Sequence, residues 1–278
     1  MYKDILVHIP SVQSARPVIG AALSLAKRGA GRVDAVAFGY EPVVAQVALD
    51  GAAAVATVLE VQQERALEQA DAVLSVFEAE AKLSGVTYAL RSFTAAPADA
   101  PRIIGELSRL YELTVVTQPE PGRSIFDDLI PQSALFNSGG PILIIPYVQK
   151  DPVTNDSVLI CWNGSREAAR AVRDAMPFIV AAKSVRIIAV NERRLDAGEA
   201  TARALVVHLA RQGVASDVEE VTGSGSDVYN SILSRASDYG ADLLVMGGYG
   251  HSRLREIILG GVTRGVFETM TVPVLMSH

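Results

Sequence analysis

Cysteine is almost missing from this chain: Cys161 stands alone among 278 residues, which excludes an internal disulfide and a cysteine-rich zinc site and agrees with a reducing compartment. Histidine is scarce too, and His8, His208, His251 and His278 share no spacing of the His-x-x-x-His kind, so no metal site is expected. No uncharged apolar run reaches the roughly 18 residues that a membrane-spanning helix needs. Met1 to Val7 opens directly into a strand pattern without the order of a signal peptide, so the expected location is cytoplasmic. The net charge of −6 contains no basic block, which speaks against nucleic acid or an anionic membrane as partner. Two catalytic signatures are also lacking: Gly-x-x-x-x-Gly-Lys-Ser/Thr and Gly-x-Ser-x-Gly do not occur, and no acid–base pair stands out.

What is present is a compact composition, 49% apolar and 20% charged, and an internal repeat of strand order. Lys3-Asp4-Ile5-Leu6-Val7 returns as Asp156-Ser157-Val158-Leu159-Ile160. Tyr111 to Val116 returns as Gly240 to Met246, and Pro141 to Ile145 as Pro273 to Met276. The second half alternates strand and helix throughout. Strand 157 to 162 leads through Ser165, an N-cap, into a helix reaching about Ala182; strand 185 to 190 precedes a helix from about 198 to 212 that Gly213 ends. Strand 217 to 222 comes next, then a helix capped by Ser226 or Asp227 and closed by Gly240, and then strand 243 to 246. Alternation of this kind implies parallel strands joined by right-handed crossovers, with helices on both faces of the sheet. The first half reads alike, with an added alanine-rich helical stretch from about 42 to 84, interrupted near Asp50-Gly51 and ended by Gly85. That stretch is a helix packed on its own sheet, or else a lid or partner-binding arm. Residues 147 to 156 are polar, carry a proline and read as a linker. Two domains follow, 1–150 and 151–278, each a Rossmann-like five-stranded parallel sheet.

After strand 243 to 246 the chain runs Gly247-Gly248-Tyr249-Gly250-His251-Ser252-Arg253, and a second glycine pair, Gly260-Gly261, precedes Val262-Thr263. Glycines at the carboxyl end of a parallel strand let the backbone approach an anion, and a helix opening at the second pair offers free N–H groups to phosphate. His251, Ser252 and Arg253 sit in this loop, within reach of phosphates or facing solvent. Gly223-Ser224-Gly225 suggests half of a dinucleotide fingerprint, but Val228 replaces its third glycine, so it reads as a helix-entry turn.

Here the sequence resembles the universal stress protein family, whose ATP-binding members carry Gly, two residues, Gly, nine residues, Gly, then Ser or Thr. Gly247, Gly250 and Gly260 match that spacing; Gly261 replaces the hydroxyl. The resemblance implies two tandem adenine nucleotide alpha hydrolase-like domains. It implies ATP, possibly with Mg, as the ligand, with AMP or ADP as alternatives, and at most slow hydrolysis. Asn163 then stands where the family holds the nucleoside with an Asp, and Val190 and Met246 stand where the family packs apolar groups on the base. With Gly247, Gly250, His251, Ser252, Arg253, Gly260, Gly261, Val262 and Thr263 they form the expected binding set, with no catalytic or metal residues.

On the same frame the first half shows Gln118-Pro119-Glu120-Pro121 in place of the loop glycines, Pro131-Gln132 in place of the second pair, and Pro10 in place of Asn163. Proline offers no N–H and Glu120 repels phosphate, so this half is expected to have lost nucleotide binding. The family's habit of pairing through the last strands implies an intramolecular pseudo-dimer, with 141–145 beside 273–276. A homodimer of such chains is the further assembly to be considered, and the protein partner is unknown. The competing readings are an ATP-using α/β hydrolase-type enzyme and a structural interaction protein that binds no nucleotide.

Overall fold

The computed structural model describes residues 1–41, 52–120, 128–150, 152–190, 199–222, 226–248, 265 and 267–278. Its elements begin with β1 (Asp4–His8), α1 (Ala15–Gly29), β2 (Arg32–Tyr40), α2 (Ala52–Ser84), β3 (Thr87–Ala95) and α3 (Ala100–Leu107). They continue with β4 (Leu113–Thr117), α4 (Ile130–Asn137), β5 (Ile142–Ile145), β6 (Ser157–Trp162), α5 (Arg166–Ile179) and β7 (Ser184–Val190). The last are α6 (Ala202–Arg211), β8 (Asp217–Val221), α7 (Ser226–Asp238), β9 (Leu243–Gly247) and β10 (Val274–Ser277).

One ten-stranded sheet runs β3-β2-β1-β4-β5-β10-β9-β6-β7-β8. Each half contributes five parallel strands in the same order, and the halves meet where β5 pairs β10 antiparallel, Leu143 opposite Leu275. The expected side-by-side placement of the two final strands is therefore met. Parallel strands buried on both faces must be apolar almost without break, and β5 (ILII) and β9 (LLVMG) are so built. One face of the sheet packs on α1, α2, α5 and α6 through residues such as Val7, Phe77, Trp162 and Phe178; the other packs on α3, α4 and α7 through Leu6, Leu135, Met246 and Ile232. No helix among the described residues is long and apolar enough to cross a membrane.

Local sequence fixes the helix ends. Gly85, Gly213 and Gly240 take positive φ of 69°, 80° and 56° just past α2, α6 and α7, the left-handed stop that glycine adopts without steric cost. Ser165 caps α5, its Oγ accepting from the Ala168 N–H at 3.1 Å. Two helix bounds need correction. α5 ends at Ile179, because Ala181 and Ala182 turn back onto Phe178 and Ile179. α6 starts at Ala202, because the Thr201 hydroxyl accepts from the Ala204 N–H and sets the cap there. The expected linker, described over 147–150 and 152–156, is docked on both halves, with Val153 and Asn155 buried. Arg28 donates to Asn155 Oδ1 at 2.8 Å and to the Val153 carbonyl at 3.0 Å, and Asn155 Nδ2 donates to the Phe178 carbonyl. The helical stretch of the first half is continuous over 52–84; the break expected near Asp50-Gly51 lies outside the described residues.

Candidate functional site

In the second half β6 leads to β7 on one side and, after β8, the chain crosses back to β9 on the other side of β6. The crevice at the carboxyl ends of β6 and β9 is thus a topological switch point, the place where open α/β sheets receive ligands. Asn163 follows β6 and Gly247 ends β9. Cys161 pairs with Met246 on one side and Ile188 on the other, so three apolar side chains stand abreast beneath the crevice, with Val190 packed against the same cluster. Sequence reading missed Cys161 and Ile188; only the strand register brings them beside Met246. Burial pushes the Cys161 thiol up to about 12, so it remains an uncharged apolar lining group at neutral pH.

The turn from β6 to α5 is tightly specified. Asn163 Oδ1 accepts from the Ser165 N–H at 3.1 Å, and Gly164 takes a φ of 73°. Asn163 therefore spends its carbonyl on the turn, while its amide NH₂ is a donor group at the carboxyl edge. A Cβ at Gly247 would lie 2.5 Å from the Ala168 nitrogen and 2.6 Å from the Glu167 carbonyl carbon. This glycine thus has a structural duty, letting the first turn of α5 lie against the end of β9. The start of α5 is occupied by its own groups, the Ser165 hydroxyl on the Ala168 amide and Glu167 in the first turn; a carboxylate there disfavours a second anion.

Of the expected binding set, Asn163, Val190, Met246 and Gly247 gather at this carboxyl edge. Gly250, His251, Ser252, Arg253, Gly260, Gly261, Val262 and Thr263 lie outside the described residues. An apolar groove of ≈ 440 Å³ between α5 and α6, lined by Trp162, Met176, Leu205 and His208 among others, opens on the other side of the sheet from Met246. Among the described residues no cluster of three or more His, Cys, Asp or Glu is arranged to hold a metal.

The corresponding edge of the first half, at the ends of β1 and β4, is built differently. Pro10 stands beyond β1, and Gln118, 2% exposed, follows β4. Gln118 Nε2 donates to the Phe267 carbonyl at 2.9 Å, and its Oε1 accepts from the Tyr147 N–H at 3.4 Å. Its side chain thus crosses to the other half.

Residues 154–278 match the model of the universal stress protein family. A universal stress protein of Synechocystis is 29% identical over 140 residues, covering 49% of this chain and 46% of that one. One of Methanocaldococcus jannaschii is 31% identical over 71 residues, covering 23% and 44%. The chain spans less than half the length of either relative. The crystal structure of a universal stress protein from Archaeoglobus fulgidus covers 98% of this chain and 97% of its own with a TM-score of 0.73 at 17% identity, a likeness of fold over both halves. The family model thus matches the second half of the chain, residues 154–278, and the likeness of fold extends along its whole length.

Proposed function

We propose that the second half binds an adenine nucleotide, ATP with or without Mg, in the crevice between β6 and β9, and that the protein acts as a nucleotide-dependent stress sensor. One observation carries this reading: the Gly247, Gly250, Gly260 spacing begins at the last residue of β9, the strand beside β6 at the switch point. Unbranched backbone there gives phosphate oxygens close access to N–H donors. The row Met246, Cys161, Ile188 offers the adenine ring an apolar floor, and the Asn163 amide offers a polar edge to the nucleoside. AMP and ADP share the nucleoside end and are the weaker alternatives. Gly261 in place of a hydroxyl removes one hydrogen bond, about 1 kcal/mol, so affinity falls without vanishing.

In this proposal the chain divides into domains 1–150 and 151–278 as a tandem repeat. The first has given up nucleotide for a scaffolding role, and the setting is cytoplasmic, where ATP is at hand. A ligand that orders one conformation of the binding edge changes the surface shown to a protein partner by mass action alone. The test is a thermal shift with millimolar Mg-ATP, together with release of ATP from the heat-denatured protein. The wild type is expected to gain stability, and Gly250→Val to lose that gain while melting unchanged without ligand. A wild type indifferent to millimolar Mg-ATP would remove the proposal.

A further inference from the structure

We propose that the first half is the positioning element for the nucleotide-binding segment of the second, with Gln118 as its central positioning residue. The ligand in this inference rests on the function proposed above; the geometry does not. At the seam, Ile144 pairs Val274 and Ile142 pairs Met276 about the central pair Leu143 and Leu275, which is a local two-fold relation. Gln118 donates its N–H to the Ile145 carbonyl as Gly248 does to the Ser277 carbonyl, so Gln118 and Gly248 are counterparts. Leu135 and Phe267 are counterparts as well, each standing seven residues before the first residue of its last strand, Ile142 and Val274.

The two-fold makes one contact twice and fills it in two ways. Gln118 reaches over to the Phe267 carbonyl at 2.9 Å in a buried setting. In return, Leu135 reaches over to Gly248, its Cδ2 only 2.8 Å from where a Cβ would stand. Phe136 reinforces this side: its ring meets the His278 ring edge-on at 4.8 Å, and His278 Nδ1 lies 3.1 Å from the Gly248 carbonyl. Gly248 is where the chain departs toward Gly250 and Gly260, and Phe267 is where it has returned. Side chains of the first half therefore hold both ends of the stretch that carries the binding glycines. The same arrangement accounts for Gln118 itself. A long side chain following β4 and a proline after it are useless for admitting phosphate to the first half, yet a buried amide donor is what the Phe267 carbonyl requires.

The geometry predicts an effect selective for the phosphates. In the full chain, Gln118→Met keeps the side chain's length and apolar packing but removes the donor. Mg-ATP affinity, measured by titration calorimetry, is expected to fall about tenfold, a change in line with one buried hydrogen bond. Adenosine, which lacks phosphates, is expected to change less than twofold. Hydrogen exchange is read alongside: amides of 265–270 are expected to exchange faster in the variant, with β1 and β4 unchanged. Leu135→Ala loosens the other end and serves as the second variant should Gln118→Met fail to fold. Equal losses for Mg-ATP and adenosine, or no loss for Mg-ATP, overturn the inference. A wild type that binds neither probe removes the proposed function alone; the exchange result then decides, faster exchange at 265–270 upholding the positioning role and unchanged exchange overturning it.

Discussion

Gly247 ends β9 with two roles that a substitution separates. In the proposed function it admits phosphate, and in the apo fold it makes room for backbone atoms of Glu167 and Ala168, which cannot swing aside as a side chain tip would. Overpacking against such neighbours costs about 1–3 kcal/mol. Gly247→Ala is therefore expected to lower stability in urea by that amount with no ligand present, whereas Gly250→Val acts only on the ligand-induced gain. A Gly247→Ala protein as stable as wild type would show that α5 and β9 have slack there. His8 gives a second residue-scale expectation. It sits on β1 at the position that Cys161 holds on β6, since the strands beside them keep one register. Burial pushes the imidazole down to about 3, while an unfolded histidine titrates near its ordinary value of about 6.5. The unfolded chain therefore binds the extra proton first, and the stability His8 provides is whole above about 6.5 and declines as pH falls toward 3. His8→Cys installs the counterpart, which does not titrate in that range. Denaturation between pH 7 and 4 should show a shallower acid loss in the variant; an unchanged slope would count against His8.

At the scale of elements, what could be read from the sequence was what local chemistry controls. Strand and helix alternation, the cap at Ser165 and the stops at Gly85, Gly213 and Gly240 each depend on residues within one turn of the chain, and each was legible. The seam of β5 and β10 was expected only through the resemblance to the universal stress protein family, since two short apolar strands preceded by prolines show a repeat and not which strands pair. The docking of the linker was not legible because its polarity is answered from afar: Arg28 on α1 and the Phe178 carbonyl on α5 hold Val153 and Asn155 in place. A polar side chain looks the same in sequence whether water or a distant arginine satisfies it. The site divides in the same way. Asn163, Val190, Met246 and Gly247 were expected through the family resemblance, and all lie at or beside the carboxyl ends of β6, β7 and β9; Cys161 and Ile188 were not expected, because membership of the row beneath the crevice is a matter of cross-strand register. Gln118 was legible as a loss of glycine in its own half, while its bond to Phe267, 149 residues away, was not.

For the molecule as a whole, the decisive feature is that the sheet has no gap. Ten strands form one hydrogen-bonded array, and the β5–β10 ladder at its centre is fully buried, with Leu143 and Leu275 both 0% exposed. Opening the halves would expose these strands and break the cross-half bonds of Gln118 and of Tyr2, whose hydroxyl donates to the Asp174 carbonyl. An opening of that size draws on the global unfolding free energy. The halves are therefore expected to melt in one transition, although only the second is proposed to bind nucleotide. At a ligand concentration 100 times Kd the added stability is about 2.7 kcal/mol, which for a chain of this length corresponds to a rise of about 5 °C or more. Scanning calorimetry with Mg-ATP should show the single peak displaced upward as a unit, the nucleotide-free half carried along by the shared ladder. Two resolved peaks, with only one moving, would mean that the seam couples the halves weakly, and the first half could not then serve as a firm base for the binding segment of the second.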